Sequence, residues 1–360
     1  MQTPDPTTYA SLLDSKLTQI QTLFSDMEMP EIEVFSSDPL HFRYRTEFRI
    51  WHTKGRCFYA MFERGKNNDP HEVVEFPIAS TRINEIMTPL METVNQQDIL
   101  SRKLFQIEFL TTLSGDALVT LIYHKALNEE WEQAAKALQD NLNVHVIGRS
   151  RKQKLVLEKD WVLEELNIDG KTFKYQQIEG GFTQPNAKMN EKMLSWAQHA
   201  STGLQGDLLE LYCGNGNFSI ALAGAFNQVV ATEISKTSIK AAQYNKDINN
   251  IDNLHFVRMS AEEFTQAIQK QREFRRLKDI DLDSYDFQTV LVDPPRAGLD
   301  DESVKMIQQY NNIIYISCNP ETLKNNLETL TKTHDIEHYA IFDQFPYTHH
   351  IESGVLLKKR

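Results

Sequence analysis

The sequence predicts an α/β chain in two parts: a C-terminal domain over residues 179–360 built on a mostly parallel, doubly wound sheet, and an N-terminal antiparallel α+β domain over residues 1–178. Three observations carry this. In the C-terminal half, short apolar runs such as Leu208–Tyr212, Gln228–Glu233 and Phe287–Val292 alternate with helical stretches, the pattern of a parallel sheet. In the N-terminal half, apolar residues recur every second position and turn sequences join neighbouring runs. Between the halves, around 175–185, Gly180-Gly181 marks a break.

Composition sets bounds. The 360 residues are 41% apolar and 24% charged, as in an ordinary globular protein, and suffice for two cores. No apolar run approaches the roughly 18 residues of a membrane span, and Met1-Gln2-Thr3-Pro4-Asp5 does not resemble a secretory leader, so a cytoplasmic protein without membrane contact is expected. Three dispersed cysteines (Cys57, Cys213, Cys318) offer neither a disulfide framework nor a CxxC metal cage, and a four-cysteine iron–sulfur cluster is excluded within one chain. The net charge of −12 is spread over both halves, so any nucleic-acid contact must come from a local basic surface.

Along the first half, Tyr9, Leu12, Leu13, Leu17, Ile20, Leu23 and Phe24 have helical spacing, which predicts one amphipathic packing helix over 9–28. From His41 the period becomes two. Phe42, Tyr44, Phe48 and Ile50 take one face of a strand, Arg43, Arg45, Arg49 and Trp51 the other. Gly55 turns the chain into a second strand, Cys57 to Glu63. Residues 41–66 hold seven Lys/Arg against two acids, with seven aromatics interleaved. Such a face suits phosphates and unpaired bases, and equally suits a solvated outer sheet face. Leu104–Leu113 and Ala117–His124 form a further hairpin across Ser114-Gly115-Asp116, a helix follows near Glu129–Asn141, and Arg149-Ser150-Arg151-Lys152-Gln153-Lys154 is either a second phosphate contact or a basic turn.

In the second half, the strand Leu208–Tyr212 runs into the glycine loop Cys213-Gly214-Asn215-Gly216-Asn217, and a helix is expected over Phe218–Phe226. The third glycine of the dinucleotide fingerprint is missing, which disfavours a pyrophosphate at the helix start. Glu233 ends the next strand, where its carboxylate can accept from ribose hydroxyls. A nucleoside cofactor without pyrophosphate points to S-adenosylmethionine, with Asn217 and Glu233 in its site. Ser235 should cap the next helix, and Gln266–Ser284 reads as a charged helical insert.

The last strands carry the chemistry. Asp293-Pro294-Pro295-Arg296 follows the strand Phe287–Val292. The apolar run Ile313–Ile316 delivers Cys318 to the point where Pro320 can open a helix, and His349-His350-Ile351-Glu352-Ser353-Gly354 leads into the final strand. Strand ends in such a sheet converge on one cleft, so the glycine loop, Asp293, Cys318 and Glu352 should share it. The dipole of the helix after Cys318 is expected to favour the thiolate. The alternative for Cys318 is a small buried core residue.

Taken as a set, Glu-Leu-Tyr-Cys-Gly-Asn-Gly-Asn, Asp-Pro-Pro-Arg, Ser-Cys-Asn-Pro and His-His-Ile-Glu-Ser resemble the uracil-C5 RNA methyltransferases. The likeness extends through Phe-Arg-Tyr-Arg-Thr-Glu-Phe-Arg and Lys-Leu-Phe-Gln-Ile-Glu-Phe-Leu-Thr-Thr-Leu in the first half. The resemblance implies a class I S-adenosylmethionine-dependent methyltransferase domain, Rossmann-like, behind an RNA-binding domain. It assigns Cys318 as nucleophile, Glu352 as base, and Gln184, Tyr212, Asn217, Glu233 and Asp293 to the cofactor site, with no metal and His349 and His350 structural. Family members acting on 23S rRNA carry an extra N-terminal domain and an iron–sulfur site. The chain lacks both, so the tRNA branch is expected, with the T-arm, and tmRNA, as partners of a monomer. A target uridine buried in the T-loop implies base flipping, with Phe105 and His124 as candidate side chains and Arg43, Arg45 and Arg49 on the RNA backbone. The rivals are an rRNA uracil-C5 methyltransferase, an amino-group methyltransferase, which needs no cysteine, and a non-catalytic tRNA-binding or folding helper.

Overall fold

The computed structural model describes residues 4–62, 65 and 69–360. The chain forms two compact units whose segments interleave. One contains Asp38–Glu165 and Gln177–Ala187, the other Thr7–Ser37, Leu166–Gln176 and Lys188–Arg360. A single cut at 178/179 therefore divides the chain differently from its packing: the first helix lies in the second unit, and so does the first strand.

In the first unit a seven-stranded sheet has the spatial order Pro70–Glu72, Arg56–Phe62, Arg45–Thr53, Leu104–Thr111, Ala117–Tyr123, His145–Ser150, Gln153–Val156. Its pairs are antiparallel except Ala117–Tyr123 with His145–Ser150. Helices Thr81–Gln96, capped by Ser80, and Glu129–Leu142, capped by Asn128, bury Ile83, Met87, Leu90, Trp131 and Leu138 in its core. Gly148 is required where the sheet meets the second helix, because a Cβ there would stand 2.3 Å from the Trp131 ring. The period-two reading of the basic strand holds from Arg45 onward: Thr46, Phe48 and Ile50 are buried, Glu47 and Arg49 exposed. The return strand runs Arg56–Phe62; Glu63, its expected end, lies outside the described residues. The ribbon Trp161–Ile168 with Lys171–Ile178 follows.

The second unit is organised on an eight-stranded sheet: β1 (Ile32–Phe35), β2 (Asp207–Leu211), β3 (Val229–Thr232), β4 (Leu254–Val257), β5 (Phe287–Val292), β6 (Asn312–Ser317), β7 (His334–Phe342) and β8 (Glu352–Lys359). Their spatial order is β1-β7-β8-β6-β5-β2-β3-β4. All neighbours are parallel except β8, which runs antiparallel to both β6 and β7. Ile313, Ile314, Tyr315 and Ile316 are fully buried, as the unbroken apolar run requires of a strand covered on both faces. Each such side chain contributes about 1.5–3 kcal/mol of burial.

Helix α1 (Tyr9–Leu23) is shorter than 9–28 and buries Tyr9, Lys16 and Ile20. Helix α2 (Asn217–Leu222) passes into a 3-10 turn at Ala223–Ala225, so the helix expected over Phe218–Phe226 is split. Helix α3 (Lys236–Ile248) is capped by Ser235, as expected. The insert 266–284 is not one helix: after Ala261–Ile268 it holds only 3-10 turns at Arg275–Leu277 and Leu282–Ser284, since its charged residues supply no apolar stripe. Among the described residues no helix is long and apolar enough to cross a membrane.

Candidate active site

Backbone geometry sets the glycine loop. β2 ends at Leu211, and the chain then reverses through Tyr212 (φ 64°), Gly214 (φ 56°) and Gly216 (φ 84°) into α2. At Gly216 a Cβ would also stand 2.8 Å from the Phe256 ring, so only glycine fits. At Gly214 the Cβ position faces open space, as a surface approached by a ligand needs. Beside it the Glu233 carboxylate accepts from the Gly214 N–H (3.2 Å) and the Ser235 N–H (2.7 Å), clamping the loop to the start of α3. The Asn217 amide exchanges two hydrogen bonds with Asn190 (2.8 and 2.9 Å), and the Tyr175 hydroxyl donates to the Asn217 carbonyl at 3.0 Å. Tyr212 is half-buried, and burial raises its hydroxyl above the ordinary value. Gln184 lies in the first unit, in the segment 177–187.

The other candidate residues, Asp293, Cys318 and Glu352, lie at the ends of β5, β6 and β8. Antiparallel pairing sets Ile316 opposite Gly354 and ends with Ser317 opposite Ser353, so Cys318 and Glu352 flank the last pair at the same end of the two strands. Asp293 follows Val292 at the end of β5, which is paired to β6. Helix α4 (Pro320–Leu330) begins with Pro320 in its first turn and Asn319 capping it, the Asn319 side chain accepting from the Glu321 N–H. Cys318, Asn319, Pro320, Arg296, His349 and His350 line a cleft of about 580 Å³, and residues of α1 form another of its walls.

Electrostatics here run opposite to one expectation. The Cys318 thiol is pushed up to about 11, first by burial and then by the Glu352 and Asp293 carboxylates, with Arg296 opposing. Two acids in a desolvated pocket oppose ionisation of the thiol. Glu352, buried and hydrogen-bonded by the Gln344 side chain, rises to about 8 through burial and Asp293; Asp293 rises to about 7 through burial. Near neutral pH these carboxylates sit at the edge of ionisation, the range in which a general acid or base works. Cys213 is fully enclosed, its thiol held well above the usual range by burial, which suits packing. Among the described residues no group of three or more His, Cys, Asp or Glu could hold a metal ion.

The nucleic-acid candidates all lie in the first unit. Phe105 and His124 stack, ring centroids 4.3 Å apart, and the exposed Arg49 guanidinium sits 5.4 Å from the Phe105 ring and 5.5 Å from that of Phe62. Arg45 lies on the same strand face as Arg49 but is only partly exposed, and Arg43 lies outside the strand. Arg43 precedes the strand, bridges to Ala79 and is half-buried, its Nε donating to the Arg45 carbonyl. Arg45 donates to the Gly181 carbonyl at 2.5 Å. Sequence reasoning missed Asn190, Tyr175 and Lys16, whose partners lie far along the chain or belong to the backbone, and Gln344, whose side chain meets Glu352 across the loop that follows it.

The strand order, the glycine loop after β2, the acid closing β3 and the single antiparallel strand β8 are those of the class I S-adenosylmethionine-dependent methyltransferase fold. Within that class the chain belongs to the tRNA (uracil-5-)-methyltransferase family, whose model matches residues 8–360. Relatives named tRNA/tmRNA (uracil-C(5))-methyltransferase are 56% identical in Cellvibrio japonicus (98% of this chain, 96% of the relative) and 54% identical in Shewanella halifaxensis (99% and 98%). A Pyrococcus abyssi tRNA (uracil-54, C5)-methyltransferase, solved with S-adenosyl-L-homocysteine, shares the fold with a TM-score of 0.74 at 22% identity, over 97% of this chain and 83% of that one.

Proposed function

We propose that this protein methylates C5 of uridine 54 in the T-loop of tRNA, and the matching uridine of tmRNA, through a covalent bond between Cys318 and uracil C6. The observation that supports the reading is that Cys318 follows and Glu352 precedes the last pair of β6 and β8, Ser317 with Ser353, and that the Glu352 charge acts on the Cys318 thiol. Uracil C5 is a poor nucleophile. Addition of the Cys318 thiolate to C6 pushes electrons toward C5 and O4, and the resulting enolate can attack an electrophilic methyl. S-adenosylmethionine, when bound, supplies that methyl; Glu233, Asn217, Tyr212, Asp293 and Gln184 are the residues proposed to hold it. The adduct keeps its C5 hydrogen, so the Glu352 carboxylate takes that proton and the electrons expel Cys318 by elimination. Phe105 and His124 are proposed to fill the vacancy left by the flipped base, with Arg49 on the RNA. The enzyme acts as a cytoplasmic monomer.

The test is transfer of labelled methyl from S-adenosylmethionine to a T-arm transcript, followed by mapping of the modified nucleotide. Label at C5 of uridine 54, and none when that uridine is replaced by cytidine, is the expected result; label on a base amino group would overturn the reading.

A further inference from the structure

Lys16 in α1 carries a charge almost wholly out of water, with 6% of its surface exposed. A buried ammonium persists only where its donors are met. Here all three are: Nζ donates to the Asp343 carboxylate at 2.5 Å and to the carbonyls of Phe345 and His350, each at 3.1 Å. Asp343 is itself 1% exposed, and its backbone carbonyl accepts from the Ser37 hydroxyl at 2.7 Å. These partners bracket the loop from β7 to β8. Asp343 and Phe345 stand where it leaves β7, and His350 stands two residues before Glu352. Between them Tyr347 takes φ 65°, so the loop bends through a backbone conformation that its own sequence does not favour. Register alone fixes Glu352 opposite Phe342 at the first pair of β8. At that strand end, the position of its carboxylate depends on the path of the loop that feeds it.

We infer that Lys16 is a positioning residue: by tethering both ends of the 343–350 loop it holds Glu352 where it can take a proton from the substrate. The inference rests on the proposed role of Glu352. It separates Glu352 from Cys318, which is anchored independently by β6 and α4, so loss of the tether should spare bond formation to C6 and slow the later proton removal. Misplacing a catalytic group by about 1 Å can cost roughly 100-fold in rate.

The experiment compares wild type, Lys16→Met and the double variant Lys16→Met/Asp343→Asn, which removes the partner charge as well and so leaves no lone buried ion. Three quantities are read: covalent complex with 5-fluorouridine T-arm RNA, turnover on ordinary T-arm RNA, and the deuterium effect with 5-deuterouridine at the target. Expected are wild-type trapping, turnover lower by roughly 10- to 100-fold, and a larger deuterium effect, as proton removal becomes limiting. A merely structural lesion would lower trapping and turnover together without changing the isotope effect. If Lys16→Met does not fold, the double variant decides. Wild-type turnover in a folded variant, or a parallel fall in trapping, overturns the assignment. Failure of the wild type itself to form the covalent complex overturns instead the function on which it rests.

Discussion

Cys318 and Glu352 each stand one residue beyond the paired Ser317 and Ser353, at the same end of adjacent antiparallel strands, and the Glu352 charge opposes ionisation of the Cys318 thiol. Two chemical groups so near one another can divide a reaction between them, one opening it and the other closing it. Glu352→Gln keeps the shape and cannot accept the proton. It should form the covalent RNA complex yet turn over roughly 100- to 10,000-fold more slowly. Cys318→Ala should lose both. Denaturing gels for the adduct and labelled methyl release for turnover measure the two steps, and full turnover by Cys318→Ala would remove the covalent route.

The same carboxyl has a cost in stability. Its folded pKa of about 8 lies above its ordinary 4.5, so the native state binds the proton more tightly than the unfolded chain. That contribution is complete below about pH 4.5 and is lost as pH rises through 8. Every tenfold gain in proton affinity corresponds to about 1.4 kcal/mol, so Glu352→Gln should stabilise the protein by a few kcal/mol at pH 8.5 and by little at pH 4.5. Urea unfolding at the two pH values tests this. An equal effect at both would mean that Glu352 ionises as freely in the native state as in water.

The thiol makes a third case. With its pKa at about 11, the thiolate fraction of Cys318 should climb about tenfold per pH unit from pH 7 to 10. Alkylation of Cys318, followed by mass spectrometry in the cofactor-free protein, should rise without a plateau over that range. A plateau below pH 8 would restore the reading in which the helix end alone activates the thiol.

These features were unequally legible in the sequence. The apolar run Ile313–Ile316, the proline after Cys318 and the glycine loop are local signals, and the structure places each where its local chemistry dictates. The interleaving of the units was not local: β1 and α1 join a sheet whose other strands begin at Asp207, and nothing in Ile32–Phe35 names β7 as its neighbour. Lys16 reads as the polar face of an amphipathic helix because its partner lies 327 residues away. Alternation correctly separated the faces of the basic strand, but it shows neither that the strand starts after Arg43 nor that Arg45, on the face of Arg49, is held by the Gly181 carbonyl.

At the glycine loop, proposed to hold the cofactor, the reciprocal amides of Asn190 and Asn217 predict a binding effect without a chemical one. Asn190→Ala leaves the Asn217 amide without the partner that orients it and removes two hydrogen bonds, each contributing about 1 kcal/mol. The expected outcome is a KM for S-adenosylmethionine raised about tenfold, with turnover at saturation nearly unchanged. A fall in turnover at an unchanged KM would place Asn190 elsewhere in the mechanism.

The three arginines of the first unit should separate in the same way on RNA. Arg49 is exposed and shares the Phe105 ring with the stacked His124, so its guanidinium is available to a phosphate or a base. Arg45 donates to the Gly181 carbonyl and is engaged within the fold. Arg49→Ala should therefore weaken T-arm binding and reduce the slope of log affinity against log salt by about 0.7–0.9, the share of one phosphate contact. Arg45→Ala should lower the midpoint of thermal unfolding and leave that slope unchanged. Titrations at several salt concentrations, with melting curves on the same variants, read both. A slope lost with Arg45 and kept without Arg49 would move the phosphate contact from the exposed strand face to the segment around Gly181.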